Sequence, residues 1–209
     1  MKLFNRIDPT QTALIVVDVQ NDFCHPDGSL AKQGANIGMV DDIISPLNQL
    51  IKQAREVGAT VIFIQTIHEN STDSATWMRR FKERSDTGVC RKDTWGADFY
   101  EVNPENDIVV IKHRYSAFIN TRLDSVLRTK NIKTLLMTGV STNVCVESTA
   151  RDGFMLDYDV LMLSDCCAAY SEEAHNMTLK NIDDFFGTTT VSTDVLSEWS
   201  GDRKVASTL

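Results

Sequence analysis

The sequence has no long apolar segment of the kind that spans a membrane or opens a secreted precursor. Its first residues, MKLFNRIDPTQTALIVVDV, lack the uninterrupted apolar region of a signal peptide. No later apolar run approaches the roughly 20 residues that a membrane-spanning helix needs. We therefore expect a cytoplasmic protein with no membrane partner.

Basic residues are also in short supply. The chain has 21 Lys and Arg against 29 Asp and Glu, which gives a formal net charge of −8. Nucleic acids and anionic membranes are held largely by Lys and Arg, so this balance disfavours both as partners. A small-molecule partner is the better expectation.

The cysteines and histidines lack the spacings of disulfide frameworks and metal sites. Five cysteines form no CxxC pair, which is typical of reduced thiols. The adjacent Cys166 and Cys167 close an apolar run, so we expect them to pack in the core. The four histidines, at positions 25, 68, 113 and 175, do not have ligand spacing. We predict neither a metal site nor a cofactor.

What the sequence does contain is a regular alternation of apolar runs and amphipathic segments. Six runs predict strands, most of them apolar on both faces as is typical of parallel sheets: 13–19, 60–67, 107–113, 134–140, 159–166 and 188–195. The helical segments are 40–57 before Gly58, 121–130 with Asn120 as N-cap, 143–156, and 172–186 between Ser171 and Gly187. Pro46 offers an alternative start for the first helix.

This order predicts an α/β fold of three layers. We expect an open, doubly wound sheet of about six mainly parallel strands with helices on both faces. At 209 residues, of which 42% are hydrophobic, the chain fits one domain covering 1–209. The polar tail 200–209 is expected to be flexible.

The connection 68–106 is too long for an ordinary turn. Its helix signal is confined to about 75–83, and it carries Trp77, Trp95, Phe99 and Tyr100 among charges. Structureless connections beyond about 12–15 residues are usually functional. One interpretation is a surface excursion that its aromatic residues anchor, and the other is a loop that covers a binding site.

Three chemically useful side chains stand at or just after the carboxyl ends of predicted strands, where open α/β sheets bind ligands: Asp18, Lys112 and Cys145. A cysteine in a first helical turn near an ammonium group has a lowered pKa and is a candidate nucleophile. Asp18 would serve as its general base and acid. Taken singly, each has a plainer interpretation: an Asx turn, a solvated lysine and a core cysteine.

Three segments carry a resemblance to the isochorismatase-like cysteine hydrolase superfamily. They are ALIVVDVQNDFC, VVIKHRYSAFINTRLDSVLR and TGVSTNVCVESTARDGF, and the resemblance extends over about 12–193. It implies a catalytic triad of Asp18, Lys112 and Cys145, and a non-proline cis peptide bond at Val140–Ser141. It further implies that backbone N–H groups of Ser141 and Cys145 stabilise an oxyanion.

Within the superfamily, KHRYSAF, NTRLDSVLR and TNVCVESTARDGF are most similar to the ureidoacrylate amidohydrolases, with biuret and N-carbamoylsarcosine hydrolases nearby. The resemblance implies an amidohydrolase that forms a covalent cysteine intermediate and releases ammonia or carbamate. A nicotinamidase-like hydrolase is an alternative, although nicotinamidases bind a metal through an Asp and paired His, and here His68 has no second His nearby. A thiol-redox protein and an inactive binding module are the alternatives from other classes.

The candidates for the substrate pocket are aromatic and amide side chains near these motifs: Asn21, Phe23, Trp77, Trp95, Tyr115 and Phe118. Core packing is the alternative, above all for Phe23 and Phe118. A substrate carboxylate would find cations in Arg91, Lys92 or Arg114, which otherwise are solvated. We also expect a homo-oligomer.

Overall fold

The computed structural model describes residues 7–79 and 88–200. In these ranges six strands form one sheet: β1 (Thr12–Val17), β2 (Thr60–Thr66), β3 (Ile108–Lys112), β4 (Thr134–Val140), β5 (Asp159–Ala168) and β6 (Thr188–Thr190). Their order is β3-β2-β1-β4-β5-β6, and every neighbouring pair is parallel. The predicted α/β sheet is confirmed.

Helices cover both faces of this sheet. The longer ones are α1 (Gly38–Val57), α2 (Leu123–Thr129), α3 (Glu147–Met155), α4 (Glu172–Asn181) and α5 (Ser192–Ser200). Single α turns lie at Asn21–Cys24, Ser29–Lys32 and Ala75–Met78, 3₁₀ turns at Pro9–Gln11 and Trp95–Ala97, and π turns at Thr142–Val146 and Ile182–Phe186. One apolar cluster joins α1 and α5 to the sheet, and a second joins α2, α3 and the turn after α4 to its other face. The structure therefore has three layers.

The first long helix begins earlier than its proline suggests. Gly58 ends α1 in the left-handed conformation (φ 78°), as predicted. Pro46 lies inside the helix and does not mark its first turn. The reason is that the buried stripe of α1 already includes Val40 and Ile43, so tertiary packing holds the turns that precede the proline.

Two helix boundaries near the site also differ from the prediction. Asn120 is not an N-cap, since it has a left-handed backbone (φ 55°) and α2 starts only at Leu123, whose N–H donates to Thr121 Oγ1 (3.1 Å). At α4, the Ser171 hydroxyl accepts from the Ala174 N–H as predicted. The predicted helix 172–186 is in fact α4 followed by a π turn that ends at Gly187.

The last predicted strand, 188–195, is wrong beyond its first residues. β6 ends at Thr190, and α5 begins at Ser192, whose N–H and hydroxyl both donate to the Asp165 carboxylate (2.8 and 2.6 Å). A run of β-branched residues predicted a strand here. The Asp165 contact, which lies 27 residues away in sequence, favours the helix instead.

The long connection 68–106 follows an irregular path in the part that is described. Its helix signal gives one turn at Ala75–Met78. The rest of the predicted helix at 80–83 and the predicted flexible tail at 201–209 fall outside the described residues. Each helix of the described ranges is too short or too polar to cross a bilayer.

Candidate active site

The site lies where the sheet changes its direction of winding. From β1 the chain moves outward through β2 to β3, and it then returns to place β4 on the other side of β1. In doubly wound sheets the crevice at this switch point, outside the carboxyl ends of the strands, is where ligands bind. Asp18 follows β1, Lys112 ends β3 and Cys145 follows β4, so three separate strands deliver these side chains to one place.

The Lys112 ammonium group is the centre of the cluster. It is almost fully buried and lies 2.7 Å from Asp18 Oδ2. It donates to Thr66 Oγ1 (2.8 Å), to the Arg114 carbonyl oxygen (2.9 Å) and to Cys145 Sγ (3.5 Å). The Lys112 ammonium group therefore joins Asp18, Thr66 and Cys145.

The two carboxylate oxygens of Asp18 have different partners. Thr66 Oγ1 donates to Asp18 Oδ1 (2.9 Å), so the threonine hydroxyl connects the carboxylate to Lys112. Oδ2 forms the ion pair with Lys112 but makes no hydrogen bond within the described residues. Lys112 thus contacts both Asp18 and Cys145.

Local backbone features bring β1 and β4 together at this point. Gly139 has φ 106°, and a Cβ there would lie 2.0 Å from the Val17 carbonyl oxygen, so only glycine fits. The peptide bond between Val140 and Ser141 is cis, as the resemblance implies. A π turn, Thr142–Val146, then runs directly into α3 and places Cys145 at the N-terminal end of the combined helix. Single π turns are frequent at functional sites.

Contacts to neighbouring elements hold this helix start in place. The Cys145 carbonyl accepts from Thr149 Oγ1 (2.7 Å), which in turn accepts from the Ala117 N–H (3.0 Å). On the other side Thr142 Oγ1 lies 2.9 Å from His175 Nδ1 of α4. The nucleophile candidate is thus fixed by both α4 and the chain that follows β3.

The pKa values of Cys145 and Lys112 correct one expectation from the sequence. Burial raises the pKa of the Cys145 thiol to about 12, and Lys112 only partly offsets this while Asp18 adds to it. Burial also opposes the charged form of Lys112, but Asp18 and then Cys145 outweigh it and the pKa of Lys112 is raised. The predicted depression of the thiol pKa is therefore wrong for the free site, because desolvation is the larger effect. Burial thus favours the neutral form of the Cys145 thiol beside the Lys112–Asp18 ion pair.

A cavity of about 230 Å³ opens above the cluster. We call the cluster of Asp18, Thr66, Lys112 and Cys145 the floor; the last three line the cavity, and Asp18 lies behind Lys112. The side chains that surround the space above it form the wall: Phe23, Leu30, His68, Trp77, Val89, Arg114, Tyr115, Val144 and Tyr170. Most of these wall residues are apolar or aromatic, as in ligand sites generally.

Three of the predicted pocket residues line this cavity, and three do not. Phe23, Trp77 and Tyr115 belong to the wall, and the rings of the last two lie 4.9 Å apart.

The other three have positions set by different contacts. Asn21 Nδ2 donates to the Trp95 carbonyl oxygen (2.8 Å), while the Trp95 indole is half exposed and meets His25 edge-on. Phe118 packs in the core against Tyr158 at 5.9 Å.

The structure places the three candidate cations at two different sites. Arg91 and Lys92 border a neighbouring depression, where they pair with Asp73 (2.5 Å) and Glu69 (3.4 Å). Arg114 alone among these three lines the cavity above Cys145.

Sequence reasoning missed several residues of the site. Thr66 ends β2, and the rule that selected Asp18 and Lys112 at strand ends would have found it. Tyr170 follows β5 and donates to the Phe23 carbonyl oxygen (3.1 Å). Leu30 and Val89 carry no chemical signal and are recognisable only once the chain is folded.

No group of three or more His, Cys, Asp or Glu side chains is placed to hold a metal ion in the described ranges. His68, which stands after the second strand, instead packs near the Trp77 ring (5.5 Å).

Comparison with known proteins agrees with this geometry. The isochorismatase domain model matches residues 12–194. The chain is 40% identical over 196 residues to a ureidoacrylate amidohydrolase RutB of Serratia proteamaculans, with 86% of this chain and 79% of that protein covered.

Solved structures give the same assignment. A cysteine hydrolase from Pseudomonas syringae pv. phaseolicola 1448A superposes with a TM-score of 0.85 at 30% identity, covering 95% of this chain and 96% of that one. An N-carbamoylsarcosine amidase from Thermoplasma acidophilum gives 0.71 at 27% identity, with coverages of 87% and 96%. The chain belongs to the isochorismatase family and is an amidohydrolase, a hydrolase of carbon–nitrogen bonds other than peptide bonds.

Proposed function

We propose that this protein hydrolyses a small ureido or carbamoyl amide through a covalent intermediate on Cys145. The observation that carries the proposal is the floor itself, in which buried Lys112 contacts both Asp18 and Cys145 beneath a cavity of small-molecule size. A nucleophile with a general base beside it is the arrangement that covalent hydrolysis needs.

In the first step the Cys145 sulfur attacks the amide carbonyl carbon as its proton passes to Asp18 Oδ2. The neutral resting thiol suits this order, because the proton leaves only when the carbonyl is in place to accept the electron pair. The carbon–nitrogen bond then breaks, and Asp18 returns the proton to the departing nitrogen. Ammonia leaves, and an S-acyl or S-carbamoyl enzyme remains.

In the second step water attacks the same carbonyl carbon. Asp18 takes a proton from the water, the carbon–sulfur bond breaks, and the thiol recovers its proton. A ureido substrate gives a carbamate as the second product. Lys112 stays protonated throughout and stabilises the charge on Asp18 and on sulfur.

The developing oxyanion requires hydrogen-bond donors above Cys145. We assign this role to the backbone N–H groups of Ser141 and Cys145, at the start of the helix where the peptide dipoles favour negative charge. The Ser141 carbonyl faces the other way, since it accepts from the N–H groups of Val144 (3.0 Å) and Val146 (3.2 Å).

The experiment compares kcat/KM for ammonia release over a panel of ureidoacrylate, an N-carbamoyl amino acid, biuret and nicotinamide. We expect one of the first three to be the best substrate. Cys145→Ala and Cys145→Ser should lower that rate by at least about a thousandfold while remaining folded. Cys166→Ala, at another buried thiol, is the matched control and should retain most activity.

Other outcomes would identify the alternatives. Nicotinamide as the best substrate would contradict the ureido assignment but not the Cys145 chemistry. Retention of more than a tenth of the activity in Cys145→Ala would contradict the covalent mechanism. An absence of hydrolysis together with rapid peroxide-driven disulfide formation, detected by mass spectrometry, would indicate a redox protein.

A further inference from the structure

The charges around the cavity do not cancel. Lys112 is paired with Asp18 on the floor, and the two cations of the neighbouring depression, Arg91 and Lys92, have carboxylate partners of their own. Arg114 has no carboxylate partner within the described residues, although it lines the cavity. Among the described residues, Arg114 is therefore the cation of the cavity wall that has no paired carboxylate.

The Arg114 side chain is held in position by an aromatic ring and by two backbone carbonyl groups. Its guanidinium carbon lies 4.9 Å from the centre of the Trp77 ring, a cation–π distance. Its Nη1 donates to the carbonyl oxygens of Thr72 (3.2 Å) and His113 (2.5 Å). Nε and Nη2 make no hydrogen bond to the described part of the chain. This free edge has the planar geometry that matches a carboxylate with two parallel hydrogen bonds.

Arg114 is also tied to the nucleophile. Its backbone carbonyl accepts from Lys112 Nζ (2.9 Å), and the same ammonium group donates to Cys145 Sγ (3.5 Å). The side chain thus starts beside the reacting centre and runs along the wall. Because Arg114 and Cys145 line the same cavity, a substrate with its carbonyl at Cys145 would share this space with the guanidinium.

We propose that Arg114 forms a carboxylate subsite and that the enzyme selects ureido acids, such as ureidoacrylate-type or N-carbamoyl amino acid substrates, over neutral amides. This inference rests on the proposed function and narrows its substrate class. Trp77 and the two backbone carbonyls act as positioning groups that aim the guanidinium.

The first test uses a matched pair of substrates, an N-carbamoyl amino acid and its methyl ester, which differ in the negative charge. The measured quantity is the ratio of kcat/KM for acid over ester. In Arg114→Gln this ratio should fall by about tenfold to a hundredfold, because a charge-assisted pair is lost. Arg114→Lys should recover part of it. Arg91→Gln, which removes a cation outside the cavity, should leave the ratio unchanged.

Equal losses of kcat/KM for the acid and the ester in Arg114→Gln would show a structural role and overturn the subsite.

The second test does not depend on amide hydrolysis. Iodoacetate and iodoacetamide alkylate a cysteine with the same chemistry but differ in charge, and peptide mapping reports the rate at Cys145 for each. The iodoacetate to iodoacetamide ratio should be several-fold lower in Arg114→Gln than in the wild type and in Arg91→Gln. An unchanged ratio would overturn the subsite even in an active enzyme. If no amide of the panel is hydrolysed, the proposed function fails while this ratio still tests the subsite.

Discussion

The floor and the wall of the cavity are built in different ways. The floor stands on the ends of β1, β2 and β3 and on the helix after β4, and its charged atoms are joined to one another by contacts of 2.7–3.5 Å. The wall is largely irregular chain around single α turns, including parts of the connection 68–106. The sheet thus fixes the proposed reacting groups, and the shape of the cavity above them is set by irregular segments of the kind that vary most easily.

The wall is nonetheless attached to the sheet by three consecutive buried polar residues. Gln20 Nε2 donates to the carbonyl oxygens of Ala97 (2.7 Å) and Thr66 (2.9 Å). Asn21 donates to the Trp95 carbonyl, and Asp22 Oδ2 accepts from the Cys90 N–H (2.6 Å). These bonds fasten the described end of the long connection to the residues that follow Asp18. We therefore expect substitutions in these contacts to affect the wall more than the floor.

The largest effect should come from breaking the floor with Lys112→Met. Removal of the cation leaves Asp18 as an unpaired buried charge, which costs about 3–5 kcal/mol of unfolding free energy. It also removes the group that lowers the pKa of Cys145 against the effect of burial. We expect amide hydrolysis and alkylation of Cys145 at neutral pH to be strongly reduced. Denaturant titration and iodoacetamide kinetics measure the two effects.

A second variant separates stability from chemistry. Asp18→Asn combined with Lys112→Met removes both charges and should recover much of the lost stability without recovering activity. Lys130→Met, at an exposed lysine, should change neither the free energy of unfolding nor the activity. A double variant that is as unstable as Lys112→Met would contradict the claim that the unpaired carboxylate is responsible.

An intermediate effect is expected from loosening the wall with Asp22→Ala. The Asp22 carboxylate accepts from the Ser29 N–H (2.9 Å) and hydroxyl (2.7 Å) as well as from Cys90, so the change leaves buried donors unpaired. Each such donor costs about 1–3 kcal/mol. We expect a lower Tm and a raised KM, with the rate of Cys145 alkylation by iodoacetamide close to that of the wild type.

Asp98→Asn is the control for this change, since it alters an exposed carboxylate on the same segment and should leave KM and Tm unchanged. If Asp22→Ala slowed alkylation as much as Lys112→Met, floor and wall would not be independent units.

The sequence predicts the floor better than the wall for a physical reason. Asp18, Lys112 and Cys145 follow apolar runs, and the geometry of parallel strands brings such positions to one edge whatever the details of packing. The direction of the thiol pKa was not predictable in this way. It depends on how completely neighbouring side chains exclude water, and that is known only from the fold.

The wall and the chain ends depend on contacts between residues far apart in sequence. Phe118 looks equivalent to Tyr115 in sequence but packs in the core, because the chain turns between them. The start of α5 depends on Asp165, and a local pattern of threonines predicts a strand there instead. A short segment of sequence therefore predicts neither the core packing of Phe118 nor the start of α5.

The smallest expected effect concerns the support beneath the floor, where His175 of α4 contacts Thr142 at the start of the Cys145 helix. Burial lowers the pKa of His175, and Glu172 opposes this only in part. In the unfolded chain a histidine has a pKa near 6.5. As the pH decreases below about 6.5, the unfolded chain binds a proton before the folded protein does, so the free energy of unfolding decreases until the native pKa of His175 is passed. Above about pH 6.5 this group does not affect the free energy of unfolding.

His175→Gln should remove this dependence of stability on pH. Tm measured from about pH 8 to about pH 5 should therefore fall further in the wild type than in the variant, by a few degrees at most. His25→Gln, at a histidine whose side chain is 34% exposed, controls for the loss of an imidazole. Parallel curves for the wild type and His175→Gln would show that the Thr142 contact tolerates a protonated ring, and the floor would then be insensitive to pH in this range.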